Sequence, residues 1–206
     1  MIKLCGVRRY EDIEYMNEVL PDYIGMILAE GFRRTVDIDT AEKLAAGLDG
    51  RIKKVGVFVD TPPEKVKECA RRIGLDVIQL HGSEDISYIA EVKTLGIPLW
   101  KSIKVRCSED IYEAEKLGCD GLLLDSFVPG QIGGTGISSD WSVIRETKIN
   151  PPYFLAGGIN EDNLAEALEI SPNIDISSGI ETDGVKDIDK IRRIMKIYKE
   201  NQHEQG

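Results

Sequence analysis

The chain has 206 residues, of which 42% are hydrophobic, and its 26 Lys and Arg against 36 Asp and Glu give a formal net charge of −10. This acidic balance argues against nucleic acid as a main partner, and no apolar run approaches the ~20 residues that a membrane span requires. The first residues lack the apolar core of a signal peptide. We therefore expect a cytoplasmic protein whose length suits one domain over residues 1–206.

Short apolar runs rich in β-branched residues alternate with helix-like stretches along the whole chain. Most runs are continuous rather than alternating, which is typical of parallel strands covered on both faces. The predicted strands cover residues 2–5, 23–28, 53–59, 77–80, 99–103, 121–124, 153–156 and 174–176. The predicted helices cover residues 10–19, 39–46, 62–72, 84–95, 108–117, 139–147, 161–170 and 186–199. Eight βα units predict a (β/α)8 TIM barrel of the α/β class, with a doubly wound open sheet as the alternative.

Polar side chains with capping ability precede several of these helices. Thr61 stands before two prolines, while Ser83, Ser108 and Asn160 each stand before acidic residues. Hydroxyl and amide side chains accept hydrogen bonds from the first free N–H groups of a helix, and acidic residues favour the same end. The pattern predicts these four residues as N-caps.

The four cysteines show no metal-binding spacing. Cys5, Cys69, Cys107 and Cys119 form no CxxC motif, and the two histidines stand far apart in the sequence. We expect no zinc site and, without a secretory signal, no disulfide framework.

Polar residues follow the predicted strands at the edge where TIM barrels carry out chemistry. Cys5 ends the first strand, the Arg33-Arg34 pair follows the second, and His81, Asp125 and Asp175 belong to the fourth, sixth and eighth. Cys5 and Asp125 would face each other across the barrel mouth and could move protons at two atoms of one substrate. On periodicity alone, a small buried cysteine and an aspartate that caps its own turn are the favoured interpretations.

Strand parity places Lys3 on the same face as Cys5, one layer below it. An ammonium group near a thiol favours the thiolate form. The alternative is that Lys3 extends to solvent or pairs with a carboxylate at the barrel floor, and the sequence leaves both open.

Glycine-rich turns follow the last two strands, at Gly157-Gly158 and at Ser178-Gly179. Loops after strands seven and eight of a barrel often bind phosphate through backbone N–H groups. Either turn alone is also explained as a tight βα turn or a helix cap, but together they favour a phosphate site. The long glycine-rich loop after Asp125 predicts a lid.

Seven motifs in order resemble one known family, and the resemblance covers about residues 2–198. They are KLCGV, VGVFV at 55–59, QLHGSE at 79–84, LLLD at 122–125, GGTG…DW at 133–141, LAGGI at 155–159 and DISSGIE at 175–181. Together they resemble the phosphoribosylanthranilate isomerases of tryptophan biosynthesis.

The resemblance implies a TIM barrel without metal or organic cofactor, an isomerase that carries out an Amadori rearrangement of N-(5-phosphoribosyl)anthranilate. It implies that Cys5 is the general base, that Asp125 is the general acid and that Arg34 meets the anthranilate. His81 and Asp175 would line the site. The implied phosphate site consists of Gly134, Gly157, Gly158, Ser178 and Gly179.

The residues before Arg34 depart from the family pattern, which commonly has Ser-Pro or Ser-Lys where this chain has Gly31-Phe32-Arg33. The sequence therefore leaves open which of the two arginines points inward. The expected partner is a small phosphosugar, and the protein is expected to be a monomer or a homodimer. Two other functions remain as alternatives: a thiamin-phosphate-synthase-like transferase, which would need clustered carboxylates, and a non-catalytic barrel that binds a phosphorylated ligand.

Overall fold

Parallel strands close into a barrel in the computed structural model, which describes residues 1–126 and 141–204. Within these ranges the barrel has eight strands whose order follows the chain, and the last strand pairs with the first. The strands are β1 Ile2–Cys5, β2 Tyr23–Ile27, β3 Lys53–Phe58, β4 Val77–Leu80, β5 Leu99–Val105, β6 Gly121–Ser126, β7 Tyr153–Ala156 and β8 Ile174–Ile176. The predicted TIM barrel is confirmed, and the open sheet is wrong.

Helices connect consecutive strands and surround the barrel. They are α1 Tyr10–Val19, α2 Ile38–Ala46, α3 Pro63–Ile73, α4 Ile86–Lys93, α5 Ser108–Lys116, α6 Ser142–Glu146, α7 Leu164–Ile170 and α8 Ile188–Glu204. Buried apolar residues such as Met16 on α1, Leu44 on α2 and Val66 on α3 pack against the outside of the sheet. Over the described ranges, no helix combines the length and the apolar character needed to cross a bilayer.

A short hairpin that was not expected from the sequence precedes α8. After β8 comes a 3-10 helix, Ser178–Ile180, and then β9 Glu181–Thr182 and β10 Val185–Lys186. The turn between them is Asp183-Gly184, and both residues have positive φ. Two consecutive positive φ values are typical of the type I′ turn, whose twist matches that of the flanking strands. Lys186 therefore lies on β10 rather than on the last helix.

The predicted N-cap at Ser83 is wrong, because the residues around it make other contacts. The Ser83 backbone N–H donates to Asp60, and the next side chain, Glu84, turns inward to Lys101. Asp85 is the N-cap of α4, where its carboxylate accepts from the backbone N–H of Tyr88.

Two of the other three predicted caps lie next to the observed ones, and the third, Asn160, lies three residues before the observed cap of α7. The N-caps of α3 and α5 are Pro62 and Cys107, each adjacent to the predicted Thr61 and Ser108. The side chain of Asn160 accepts from the N–H of Asp162 and caps a separate turn, so α7 begins four residues later. Local sequence located the helices but not their first residues. At α3, for example, the Thr61 hydroxyl donates to the Val59 carbonyl instead of capping the helix.

An apolar layer fills the bottom of the barrel and forms the floor under the strand ends. Tyr23, Trp100 and Phe154 meet there, with ring centroids 4.8–5.8 Å apart. Val55, Val77 and Leu123 complete the layer. Packed side chains, and not a pore, therefore occupy the lower half of the barrel, as is usual for this fold.

One buried ion pair fixes the loop that follows β4. The Lys101 ammonium on β5 donates to the Glu84 carboxylate at 2.7 Å and to the Gly82 carbonyl at 2.6 Å. The Glu84 carboxylate also accepts from the backbone N–H groups of Asp60 and Gly82. The pair therefore joins the loops after β3 and β4 to β5, and it holds the backbone next to His81.

We expect Lys101→Met to lower the free energy of unfolding by about 3–5 kcal/mol, because it leaves the Glu84 carboxylate buried without its cation. Urea-induced unfolding measures this change. Lys104→Met is the matched control, since Lys104 lies on the same strand and is exposed, and its expected change is within about 0.5 kcal/mol. Equal losses in the two variants would contradict the role of the buried pair.

Candidate active site

A cavity of about 310 Å³ lies at the carboxyl ends of the barrel strands. It is lined by five residues that the sequence singled out for chemistry or substrate contact: Cys5, Arg34, His81, Asp125 and Asp175. Three residues of the predicted phosphate site line it as well: Gly157, Gly158 and Ser178. Gly179 contacts Ile159 of this lining, and Gly134 lies outside the described residues.

The thiol of Cys5 lies beside an ammonium group, in a space that the neighbouring strand leaves open. Gly25 on β2 is the register partner of Cys5. A methyl group at Gly25 would lie 2.6 Å from Cys5 Sγ and 3.1 Å from Lys3 Nζ. The first of these contacts is too short for a Cβ, and the second is tight, so a side chain at position 25 would displace the Cys5 thiol. Glycine at this position leaves the space that the thiol and the ammonium share.

Lys3 is fully buried, and it both approaches the Cys5 thiol and pairs with a carboxylate. It points inward below Cys5, and its Nζ also binds the Asp175 carboxylate at 2.8 Å. Although burial works against the charge, the Asp175 carboxylate and the Cys5 thiol raise the pKa of Lys3. Lys3 therefore stays positively charged directly below the Cys5 thiol.

Asp125 differs from an ordinary surface aspartate. Burial raises its pKa to about 6, the Asp175 carboxylate adds to the rise, and Lys104 opposes it. A carboxyl group in this state can hold a proton near neutral pH and give it to a substrate. His81 also lines the cavity, and burial lowers its pKa, so its imidazole is neutral at pH 7.

The structure distinguishes the two arginines that the sequence left open. Arg34 lines the cavity and its side chain is 20% exposed, whereas that of Arg33 is 57% exposed and lies outside the lining. Both donate to the carboxylate of Glu181, and Arg34 does so through Nε at 2.7 Å and Nη2 at 2.8 Å. Such a two-point contact fixes the plane of the guanidinium group.

Glu181 and Lys186, on the hairpin after β8, lie behind the cavity wall and hold Arg34 in place, and the sequence did not single them out. Lys186 donates to Glu181 at 2.9 Å and to the Ser177 carbonyl at 2.9 Å, and both side chains are buried. Although burial works in the opposite direction, the cations Arg34 and Lys186 lower the pKa of Glu181 to about 2. The Asp-Gly pair at 183–184 was the available signal, because it is a strong hairpin predictor.

The two glycine turns of the predicted phosphate site come together in space. Gly157 and Gly158 have φ values of +88° and +66°, a region that side chains disfavour. A Cβ at Gly179 would lie 2.0 Å from the carbonyl oxygen of Ile159. Glycine at 179 thus lets the loop after β8 contact the loop after β7, and Ser178 reaches the cavity wall.

The remaining cysteines differ from Cys5 in their surroundings. Burial raises the pKa of Cys69 and raises that of Cys119 to about 11, whereas Cys107 is exposed at the start of α5. Within the described part of the chain, no group of three or more His, Cys, Asp or Glu side chains is placed to hold a metal ion.

A family model and a curated relative both match almost the whole chain and carry the same name. Residues 2–197 match the family model for N-(5'-phosphoribosyl)anthranilate isomerase. The curated protein of that name from Clostridium acetobutylicum is 44% identical over 203 residues, which cover 96% of this chain and 98% of the relative.

Solved structures agree with the sequence relatives. The phosphoribosyl anthranilate isomerase of Thermus thermophilus superposes with a TM-score of 0.83 at 30% identity, covering 97% of this chain and 98% of the other. A structure of such an isomerase in complex with reduced 1-(o-carboxyphenylamino)-1-deoxyribulose 5-phosphate has a TM-score of 0.81 at 28% identity, with the same coverage.

We expect Asp125→Asn to be more stable than the wild type above neutral pH and equally stable near pH 4. The folded-state pKa of Asp125, about 6, exceeds its ordinary value of 3.8. Its contribution to stability is therefore complete below about pH 4 and is lost as the pH rises through 6. Asparagine has no such loss, so the difference should reach about 3 kcal/mol at pH 8.

Urea-induced unfolding at a series of pH values measures this difference. Asp162→Asn, at an exposed position, is the matched control and should show no comparable dependence on pH. A gain of stability in Asp125→Asn that is the same at all pH values would contradict the raised pKa.

Proposed function

The chain belongs to the N-(5'-phosphoribosyl)anthranilate isomerase family, and we propose that Cys5 and Asp125 carry out its reaction. The reaction converts N-(5-phosphoribosyl)anthranilate into 1-(2-carboxyphenylamino)-1-deoxyribulose 5-phosphate in L-tryptophan biosynthesis, an aldose–ketose isomerisation. One observation carries the proposal: the same cavity contains a thiol beside a buried ammonium and a carboxyl group with a pKa of about 6.

Asp125 is the proposed general acid of the first step. It donates a proton to the ring oxygen of the ribose, the bond from that oxygen to C1 breaks, and a protonated Schiff base forms between C1 and the anilino nitrogen. With a pKa of about 6, roughly a tenth of the Asp125 side chains hold a proton at pH 7. Burial thus supplies a proton donor at the pH where an ordinary aspartate would be almost fully ionised.

Cys5 is the proposed general base of the second step. Its thiolate takes the proton from C2, and the electron pair of that bond forms the C1–C2 double bond of an enolamine. The enolamine then gains a proton at C1 and loses the hydroxyl proton at C2, which gives the ketone. The Lys3 ammonium lies below Cys5, and the Asp175 carboxylate holds that ammonium in place.

The substrate carries a phosphate and a carboxylate, whereas the protein has a net charge of −10. We assign the phosphate to the turns with Gly157, Gly158, Ser178 and Gly179, where backbone N–H groups bind anions without a cationic side chain. We assign the anthranilate carboxylate to Arg34, whose Nη1 is the guanidinium nitrogen that Glu181 does not engage. His81 and Asp175 line the space between these two ends.

The location and assembly of the protein are also proposals. We propose that it acts in the cytoplasm and is a monomer or a homodimer. Sedimentation equilibrium of the full chain distinguishes these two states.

We expect Cys5→Ala and Asp125→Asn each to lower kcat by about 10²–10⁴, the usual contribution of a general base or acid. The decrease in fluorescence of the anthranilate substrate measures turnover. Cys69→Ala, in the buried face of α3, is the matched control and should keep wild-type kcat. Full activity in either site variant would contradict the assigned chemistry.

A wild type that binds the reduced product but gives no turnover and fails to rescue a tryptophan auxotroph would indicate a non-catalytic barrel.

We expect Arg34→Gln to raise KM about 10- to 100-fold, because it removes a charged hydrogen bond to the substrate carboxylate. Arg33→Gln is a close control, since Arg33 binds the same Glu181 carboxylate but does not line the cavity. Its KM should stay within about threefold of the wild type. Steady-state kinetics of both variants test this assignment, and a larger effect in Arg33→Gln would reverse it.

A further inference from the structure

One buried polar atom in the cavity has no partner in the described residues. Gln79, on β4, lines the cavity and is 2% exposed, and its Nε2 donates to Ser102 Oγ at 2.8 Å. Its carboxamide oxygen Oε1 is buried and accepts no hydrogen bond from residues 1–126 or 141–204.

An unpaired buried amide oxygen is unfavourable for the folded protein. It loses its hydrogen bonds to water on folding and gains none in return. The register partners of Gln79 are Val57 on β3 and Trp100 on β5, both buried and apolar. An apolar side chain would therefore suit the fold better at position 79. A polar residue is explained at this position if its buried oxygen accepts a hydrogen bond from a bound ligand.

The position of Gln79 fits a ligand contact better than a role in the core. Its layer lies directly above the apolar layer of Val77 and Trp100, and His81 lies two residues further along β4. Ser102, which fixes the carboxamide from β5, also lines the cavity. The two side chains thus form a polar patch on the floor of the cavity. They lie on β4 and β5, and neither strand carries a group assigned to the phosphate or the carboxylate of the substrate.

We propose that Gln79, oriented by Ser102, binds the substrate by accepting a hydrogen bond from a hydroxyl group of its sugar chain. This inference rests on the proposed function. An amide oxygen needs a donor, and the ionised phosphate and carboxylate of the substrate offer acceptors only. The anilino N–H lies next to its own ortho carboxylate, which can accept from it. The sugar hydroxyls are the donors that remain.

The contact would make Gln79 a specificity-determining residue. A site built to bond a hydroxyl discriminates against an analogue that lacks it, because the buried protein group is then left unpaired. We therefore expect the protein to select ligands by the hydroxyl pattern of the chain between phosphate and aromatic amine, in addition to their two anionic groups.

Binding of the reduced product, measured by calorimetry, tests the proposal. The probes are reduced 1-(o-carboxyphenylamino)-1-deoxyribulose 5-phosphate and a series of deoxy forms, each of which lacks a different one of the hydroxyl groups of its sugar chain. The wild type should bind one of the deoxy forms about tenfold more weakly than the parent compound. Gln79→Met should bind the parent about tenfold more weakly and should no longer distinguish it from that deoxy form.

Val57→Ala is the matched control, because Val57 also lines the cavity beside Gln79 and offers no hydrogen bond. It should weaken all the probes by the same factor. Thermal unfolding of Gln79→Met/Ser102→Ala separates a ligand contact from a structural one. We expect a melting temperature equal to or above that of the wild type, since both polar partners are replaced by apolar groups.

Three results would overturn the proposal. One is parent binding to Gln79→Met that is as tight as in the wild type. Another is a weakening in Gln79→Met that is equal for all the probes, and the third is a lower melting temperature of the double variant. If the wild type itself neither binds the reduced product nor turns over the substrate, the proposed function fails and this assignment fails with it. Turnover by the wild type together with any of the three results contradicts only the role of Gln79.

Discussion

The ion pair between Lys3 and Asp175 is the interaction on which the site depends. It joins β1 to β8, the strands at which the barrel closes, and their residues 3 and 175 are register partners. A buried pair of charges contributes little net stability, because desolvation offsets most of the attraction. Its value here is positional: the closed barrel holds an ammonium under Cys5, and Gly25 leaves room for both groups.

The surroundings of the cavity explain how a protein with a net charge of −10 can bind an anionic ligand. The protein is acidic overall, yet Lys3, Arg34 and Lys186 bring positive charge to the cavity wall or just behind it. Their carboxylate partners, Asp175 and Glu181, keep these cations in fixed positions. A ligand with two anionic groups can therefore be held by a few oriented groups, because such interactions are strong at short range and solvent screens the distant surface charges.

Sequence patterns located the elements well, and their errors have local causes. The eight predicted strands match the observed ones to within two residues, although β5 and β6 extend further because their ladder continues to Val105 and Ser126. The predicted helix caps failed where two polar residues compete, as at Ser83 and Asp85. The hairpin carrying Glu181 and Lys186 was missed because its strands have only two residues each, too short for a periodicity.

The sequence by itself determined the barrel and the positions of Cys5, Asp125 and the glycine turns at strand ends, because apolar runs and turn residues act locally along the chain. Only the tertiary structure decided that Arg34 rather than Arg33 faces the cavity, that Asp125 holds its proton to about pH 6, and that Gln79 has an unpaired oxygen. Each of these depends on burial or on a distant partner, such as Glu181, 147 residues from Arg34. Such contacts exist only after the barrel has closed.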